Sequence, residues 1–365
     1  MIKRWTYLIL FFIVLLVTTD SFARRSHVTP EQKTQLQQAT TIYVKTIALT
    51  EDGRVDATPL TAIIQTRLEE IGYSVVTNRK EPHDVVFQVK CEERKRWAGT
   101  TRSGGDAELA DAPSRLWKGP ACLFSYRLQG KDLGWYKEVR TSFENATEAA
   151  RNAKETNPGH YALQQLYLRL QIFDFPVLVS SEFGQTHRLF ALLKSPETPK
   201  PRKLTILSVL ENKKSTEALP YLLDLITRNE VGEAAIGALA GIGSPAIPHL
   251  IKFFKDSDDN VIKAAAAKGL GHIGAYTGDP TITPPLLDYL NESLEHMNQA
   301  SDINFPVLTE VVVAIYKLRN EESIRPIEIL NEKIWLIHDN SPEMKRLRDE
   351  ANVATKMVDL DYQIM

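Results

Sequence analysis

Apolar positions along the chain follow three rhythms. Residues 1–23 (MIKRWTYLILFFIVLLVTTDSFA) contain one unbroken apolar run from Tyr7 to Val17. From Thr41 to about residue 143 the apolar residues fall in short β-branched or aromatic clusters, and from about 203 onward they recur with a helical period. The first rhythm reads as an export signal. Lys3 and Arg4 precede the run and Ser21-Phe22-Ala23 follows it, which predicts cleavage after Ala23. Its 11 apolar residues fall short of the ~20 that a spanning helix needs, although an uncleaved anchor is the alternative. With no Cys near the cleavage point there is no acceptor for lipoprotein acylation. The expectation is a periplasmic or secreted protein of a bacterial envelope, with no stable membrane span once the signal is removed.

The second rhythm predicts an α+β domain over 41–194, preceded by a polar arm at 24–40. TIYVKTIAL (41–49) reads as a strand. The helix after it starts near Asp56 or Thr58 with Pro59 in its first turn, carries Leu60, Ile63, Ile64, Leu68 and Ile71, and closes at Gly72. Strands follow at 73–77 and 84–91, then a hairpin of 121–129 and 133–143 around Gly130-Lys131-Asp132. A helix after Pro158-Gly159 carries Tyr161, Leu163, Leu166, Leu168 and Leu170, whereas 173–194 has no clear period. One amphipathic helix among these strands implies a sheet covered on one face. Between Glu92 and Pro120 the pattern lapses into a polar, Gly-rich stretch. Trp97 and Trp117 there, each near basic residues, either grip a ligand or pin the loop ends to the sheet.

SPETPKPR (195–202) places three prolines in eight residues and predicts a semi-rigid linker. Beyond it lies the strongest signal in the chain. In VGEAAIGALAGIG (231–243), Val231, Ala234, Ala235, Ala238, Leu239 and Ile242 lie on one helical face. In IKAAAAKGLGHIG (262–274), Ile262, Ala265, Ala266, Gly269, Leu270 and Ile273 occupy the same offsets. Fainter copies include Val307, Val311, Ala314, Ile315 and Leu318. Early-helix prolines at Pro220, Pro248, Pro285 and Pro326 mark the first helix of each pair, at intervals of 28, 37 and 41 residues. The segment 203–340 resembles a short HEAT-repeat array of the phycobilisome-lyase-like subtype, most specifically at 231–274. Residues 341–365 then read as a capping helix. The N-terminal half is similar, more vaguely, to small α/β modules of bacterial envelope proteins. The resulting fold class is an α+β N-terminal domain followed by an all-α HEAT-like helical solenoid.

Composition narrows the function classes. With 44 Lys+Arg against 46 Asp+Glu the net charge is −2, which argues against a nucleic-acid binder. The two cysteines, Cys91 and Cys122, lie in strand-like segments. Either they close a disulfide, as an oxidising compartment favours, or each packs as a buried thiol. None of the eight histidines has HExxH or Cys/His zinc spacing. GLGHIG (269–274) spells GxGxxG but ends a helix, whereas a phosphate cradle must open one. Iron-binding HEAT-like hydroxylases use His-Glu pairs, which this sequence lacks. Bilin lyases bring a pigment to a cysteine, and the helical half has no Cys. No cofactor and no catalytic group is therefore expected, and a HEAT-type lyase is the least favoured alternative.

The resemblance implies a protein partner held on the exposed face of the second helices. Glu233, Lys263, Lys268, His272 and Lys317 are the candidate contacts, read either as a groove with a basic patch or as an ordinary solvated face. A second alternative is an N-terminal domain that binds a lipid, glycan or peptide beneath Trp97 and Trp117.

Overall fold

The computed structural model describes residues 28–96, 118–228 and 230–364, with the side chains of 94–96, 118 and 358–364 outside that description. The expected signal at 1–23 and both loop tryptophans, Trp97 and Trp117, lie outside the described residues. The chain divides into two compact units, Met1–Thr186 and His187–Met365.

The first unit is built on one mixed sheet. Strand β1 (Thr41–Thr50) pairs antiparallel with the short β2 (Gly53–Val55) and parallel with β3 (Ser74–Val76) along one edge. Along its other edge it pairs parallel with β4 (Val85–Arg96). Strands β5 (Lys118–Leu128) and β6 (Lys131–Arg140) extend the sheet antiparallel, so the order is β2-β1-β4-β5-β6. The polar stretch after Glu92 thus still contributes strand. A bulge between Glu92 and Lys95 carries β4 on through charged residues whose propensity alone argues against pairing. The hairpin turn sits one residue earlier than expected. Gln129 and Gly130 both take positive φ (51° and 78°), the backbone that a two-residue type I′ turn requires.

Period two governs burial in the central strands. Val85, Phe87, Val89 and Cys91 of β4 are buried, as are Cys122, Phe124, Tyr126 and Leu128 of β5. Against this face lie α2 (Thr58–Glu69), α4 (Pro158–Ile172) and α5 (Phe175–Glu182). Phe175 of α5 stacks on Phe124 at 5.1 Å, and Phe183 meets Tyr126 edge-on at the same distance. The segment without a clear period is therefore two short helices, α5 and α6 (Thr186–Lys194), broken at Gly184 with φ +70°. In α4, Leu163, Leu166 and Leu170 are buried but Leu168 points to solvent. The polar arm includes a helix, α1 (Pro30–Gln38), started by a Thr29–Gln32 capping box. Gln185 holds its C-terminal end by donating to the carbonyls of Leu36 (2.8 Å) and Ala39 (2.7 Å), while its own oxygen accepts from Tyr73 (2.9 Å). Between β6 and α4, α3 (Ala146–Asn152) is capped by Asn145, which gives the Asn145-Ala146-Thr147 triplet a structural role.

Cys91 and Cys122 face each other directly in the β4–β5 register and form a disulfide, both fully buried. The bond links adjacent strands across a sequence separation of 31, with a stabilisation of about 3–4 kcal/mol in the chain-entropy model.

The second unit is helical throughout the described residues. After α6 come α7 (Lys200–Lys213), α8 (Leu219–Thr227), α9 (Gly232–Ile242), α10 (Ile247–Asp256) and α11 (Asn260–Thr277). They are followed by α12 (Thr283–His296), α13 (Phe305–Leu318), α14 (Ile324–Leu336) and α15 (Pro342–Ile364). The proline-rich stretch is shorter than a linker over 195–202. Pro199 is the N-cap of α7 and Pro201 lies in its first turn, where its missing N–H costs nothing. Helices α7, α9, α11, α13 and α15 pack in succession as one layer, with α8, α10, α12 and α14 flanking them. This is the α+β unit followed by a helical solenoid that the periodicity predicts.

Candidate partner-binding surface

The solenoid layer exists because small residues sit where its helices meet. A Cβ built on Gly241 of α9 would lie 2.8 Å from the Glu211 carbonyl oxygen of α7. One on Gly269 of α11 would lie 3.0 Å from Ala240 Cβ of α9, and one on Gly271 would lie 2.5 Å from Ala314 Cα of α13. The GxGxxG match is thus a helix-packing motif inside α11, with no helix N-terminus to hold a phosphate.

Burying those faces turns the opposite stripe of each helix outward. On α11 the stripe is Val261, Lys268, His272 and Tyr276, spaced close to whole helical turns and all exposed. The imidazole of His272 meets the ring of Tyr276 edge-on at 5.3 Å, and Tyr276 is 81% exposed. On α9, Glu233 is exposed; on α13, Lys317 is half-buried. Glu310 of α13 is engaged by Arg346 of α15 at 2.9 Å. Carboxylates therefore interleave with the cations, and the stripe carries both signs of charge.

The five residues expected to share this face separate. Lys268 and His272 are about 40° apart around the helix axis, but Lys263 lies about 140° from Lys268 and about 180° from His272 at 3.6 residues per turn. Its side chain instead lines a groove with residues of α10 and α12. Tyr276, the most exposed aromatic of the stripe, was not among the expected contacts. Its spacing of four from His272 and eight from Lys268 is the signal that places it there.

Among the described residues, no group of three or more His, Cys, Asp or Glu side chains could hold a metal ion. No described helix is long and apolar enough to cross a membrane. The carboxyls of Asp279 and Asp339, at the starts of helical turns, are held below the usual range by the hydroxyls and amides of Thr281 and Ser341. Those shifts belong to turn and cap geometry.

Sequence comparison agrees with this architecture. The family model for HEAT repeats matches residues 186–271, the stretch from α6 into α11. Together with the paired helices that continue to α15, the match shows that the chain carries HEAT repeats. No curated protein matches the chain.

Proposed function

We propose that this is an exported, non-catalytic interaction protein of the bacterial cell envelope, whose HEAT repeats dock a protein partner on the outward stripe of α9, α11 and α13. One observation carries the reading: Tyr276, stacked on His272 beside Lys268, presents an aromatic side chain to solvent in the middle of a rigid repeat surface. Tyrosines of this kind, with a large contact area and few rotamers, dominate binding energy at protein interfaces. Export is supported by the signal-like residues 1–23, and the buried Cys91–Cys122 bond suits an oxidising compartment. The finer resemblance, to the lyase-like HEAT subtype, belongs to the same proposal and implies holding a partner, not modifying one.

Affinity capture from envelope extract tests the docking. Mature protein should retain a discrete partner, and Tyr276→Ala should weaken that retention at least tenfold while Glu343→Ala, on exposed α15, leaves it unchanged. Equal retention by both variants, or no reproducible partner, rejects the surface. N-terminal sequencing of the exported protein should begin at Arg24.

The sheet offers a second reading. Ile47, Leu49, Val86 and Leu123 alternate with the buried face and are only half-buried, which leaves an apolar area on which a lipid, glycan or peptide ligand of the N-terminal unit would sit. Tryptophan emission that stays constant across envelope lipids and glycans would count against it.

A further inference from the structure

Lys263 was expected on the partner stripe and is found elsewhere. It lines a groove of about 460 Å³, open between the end of α10, the start of α11 and the length of α12. Phe254, 2% exposed, and Tyr289 supply its aromatic surface, with ring centroids 5.5 Å apart. Four charged groups line the same groove. Lys255 and Lys263 come from α10 and α11; Asp288 and Glu292 both come from α12.

The arrangement of these charges is unlike that of a structural salt bridge. Among the described residues, none of the four enters an ion pair within 4.0 Å, although two cations and two carboxylates line one cavity. Asp288 and Glu292 are four residues apart on one helix, where like charges repel by a few tenths of a kcal/mol. Elsewhere in this unit such carboxylates are matched: Asp224 by Arg228 at 2.5 Å, Glu310 by Arg346 at 2.9 Å, Glu328 by Arg325 at 3.1 Å. The groove instead keeps ammonium groups on one helix pair and carboxylates on the helix opposite, with aromatic rings between them.

We propose that this groove binds a zwitterionic peptide, whose carboxylate meets Lys255 and Lys263, whose ammonium meets Asp288 and Glu292, and whose apolar middle lies on Phe254 and Tyr289. Size supports a peptide over a single amino acid. The volume falls within the range of small-ligand sites, and three extended residues span roughly 10 Å between opposite charges. The same chemistry arises from two sources: the termini of a free short peptide, or acidic and basic side chains within a partner's extended segment. The site lies on the other side of α11 from Tyr276, so its failure would leave the docking surface untouched.

Calorimetric titration of the full chain separates the cases. The probes are the free tripeptide Ala-Phe-Ala, the blocked peptide acetyl-Glu-Ala-Phe-Lys-amide, and the uncharged acetyl-Ala-Phe-Ala-amide. A charged probe should bind at least tenfold more tightly than the uncharged one. Preference for the tripeptide identifies free termini as the ligand, and preference for the blocked peptide identifies a protein segment. Lys263→Glu and Asp288→Lys should each weaken binding about tenfold, and the double reversal should restore most of it, because a zwitterion can enter the other way round. Unchanged circular dichroism of these surface variants controls for folding. Equal affinity for all three probes, no binding by any, or a double variant as weak as the singles would overturn the proposal.

Discussion

At the scale of single residues, glycine shows how one residue type serves opposite needs. Gly271 of α11 is required by contact: an added Cβ would sit 2.5 Å from the Ala314 backbone of α13, which cannot move without displacing a helix. Gly237 of α9 is not, since its nearest neighbour is the end of the Glu211 side chain at 4.0 Å. Gly271→Ala should therefore cost about 1–3 kcal/mol through overpacking. Gly237→Ala should gain up to about 1 kcal/mol by restricting the unfolded chain. Urea midpoints of the two variants check this, and a shift in the same direction for both would refute the contact argument. The sequence shows both as repeat glycines and assigns neither role, because the role depends on which helix arrives opposite.

Tyr126 carries a pH dependence at the same scale. Its ring is buried between Trp135 and Phe183, and its hydroxyl donates to Glu182 at 3.1 Å. Burial, reinforced by that carboxylate, raises its pKa well above the ordinary 10.0. The folded protein then keeps the proton after the unfolded chain has lost it. The stability contributed is complete below pH 10 and declines as pH rises beyond, with a slope approaching about 1.4 kcal/mol per pH unit for one proton. Tyr126→Phe should remove that slope from alkaline unfolding curves. Identical curves for the two proteins would mean the hydroxyl titrates normally.

At the scale of elements, legibility tracked how much of each element's stability is local. The helices of the solenoid were readable because their apolar period, early prolines and closing glycines are written in consecutive residues. Strand β2 was not: Gly53-Arg54-Val55 is wholly exposed and is a strand only because β1 offers it hydrogen bonds. The charged end of β4 was hidden for the same reason. Its Glu93 is buried because the carboxylate accepts the Glu51 amide at 2.8 Å, beside Gly159, where a Cβ would come within 2.6 Å of that oxygen. Propensity scores such a residue as surface, and long-range pairing overrides it. The candidate surfaces follow the same rule. Lys268 and His272 could be placed on one face from spacing alone, whereas the groove around Lys263 is made by α10 and α12 meeting, which no local pattern announces.

At the scale of the whole molecule, a repeat array must end somewhere, and its last repeat exposes what the next one would have covered. Here α15 covers α13 and α14. Met344, Leu347, Ala351 and Ala354 form its fully buried face, while Glu343, Lys345, Arg346 and Asp349 remain in solvent. Arg348 adds a polar clamp, donating to the carbonyls of Ile334, Ile337 and Asp339 where α14 runs out of backbone partners. Burying a side chain such as Met344 or Leu347 contributes about 1.5–3 kcal/mol. Losing both along with the clamp approaches the 5–15 kcal/mol by which domains are stable at all. Deleting 341–365 should therefore leave a protein that aggregates or binds a hydrophobic dye. Leu347→Asp should reproduce much of that loss, and Lys345→Ala should show none of it. A deletion variant that stays monomeric and melts at the wild-type temperature would show that the array closes on α13 and α14 without α15.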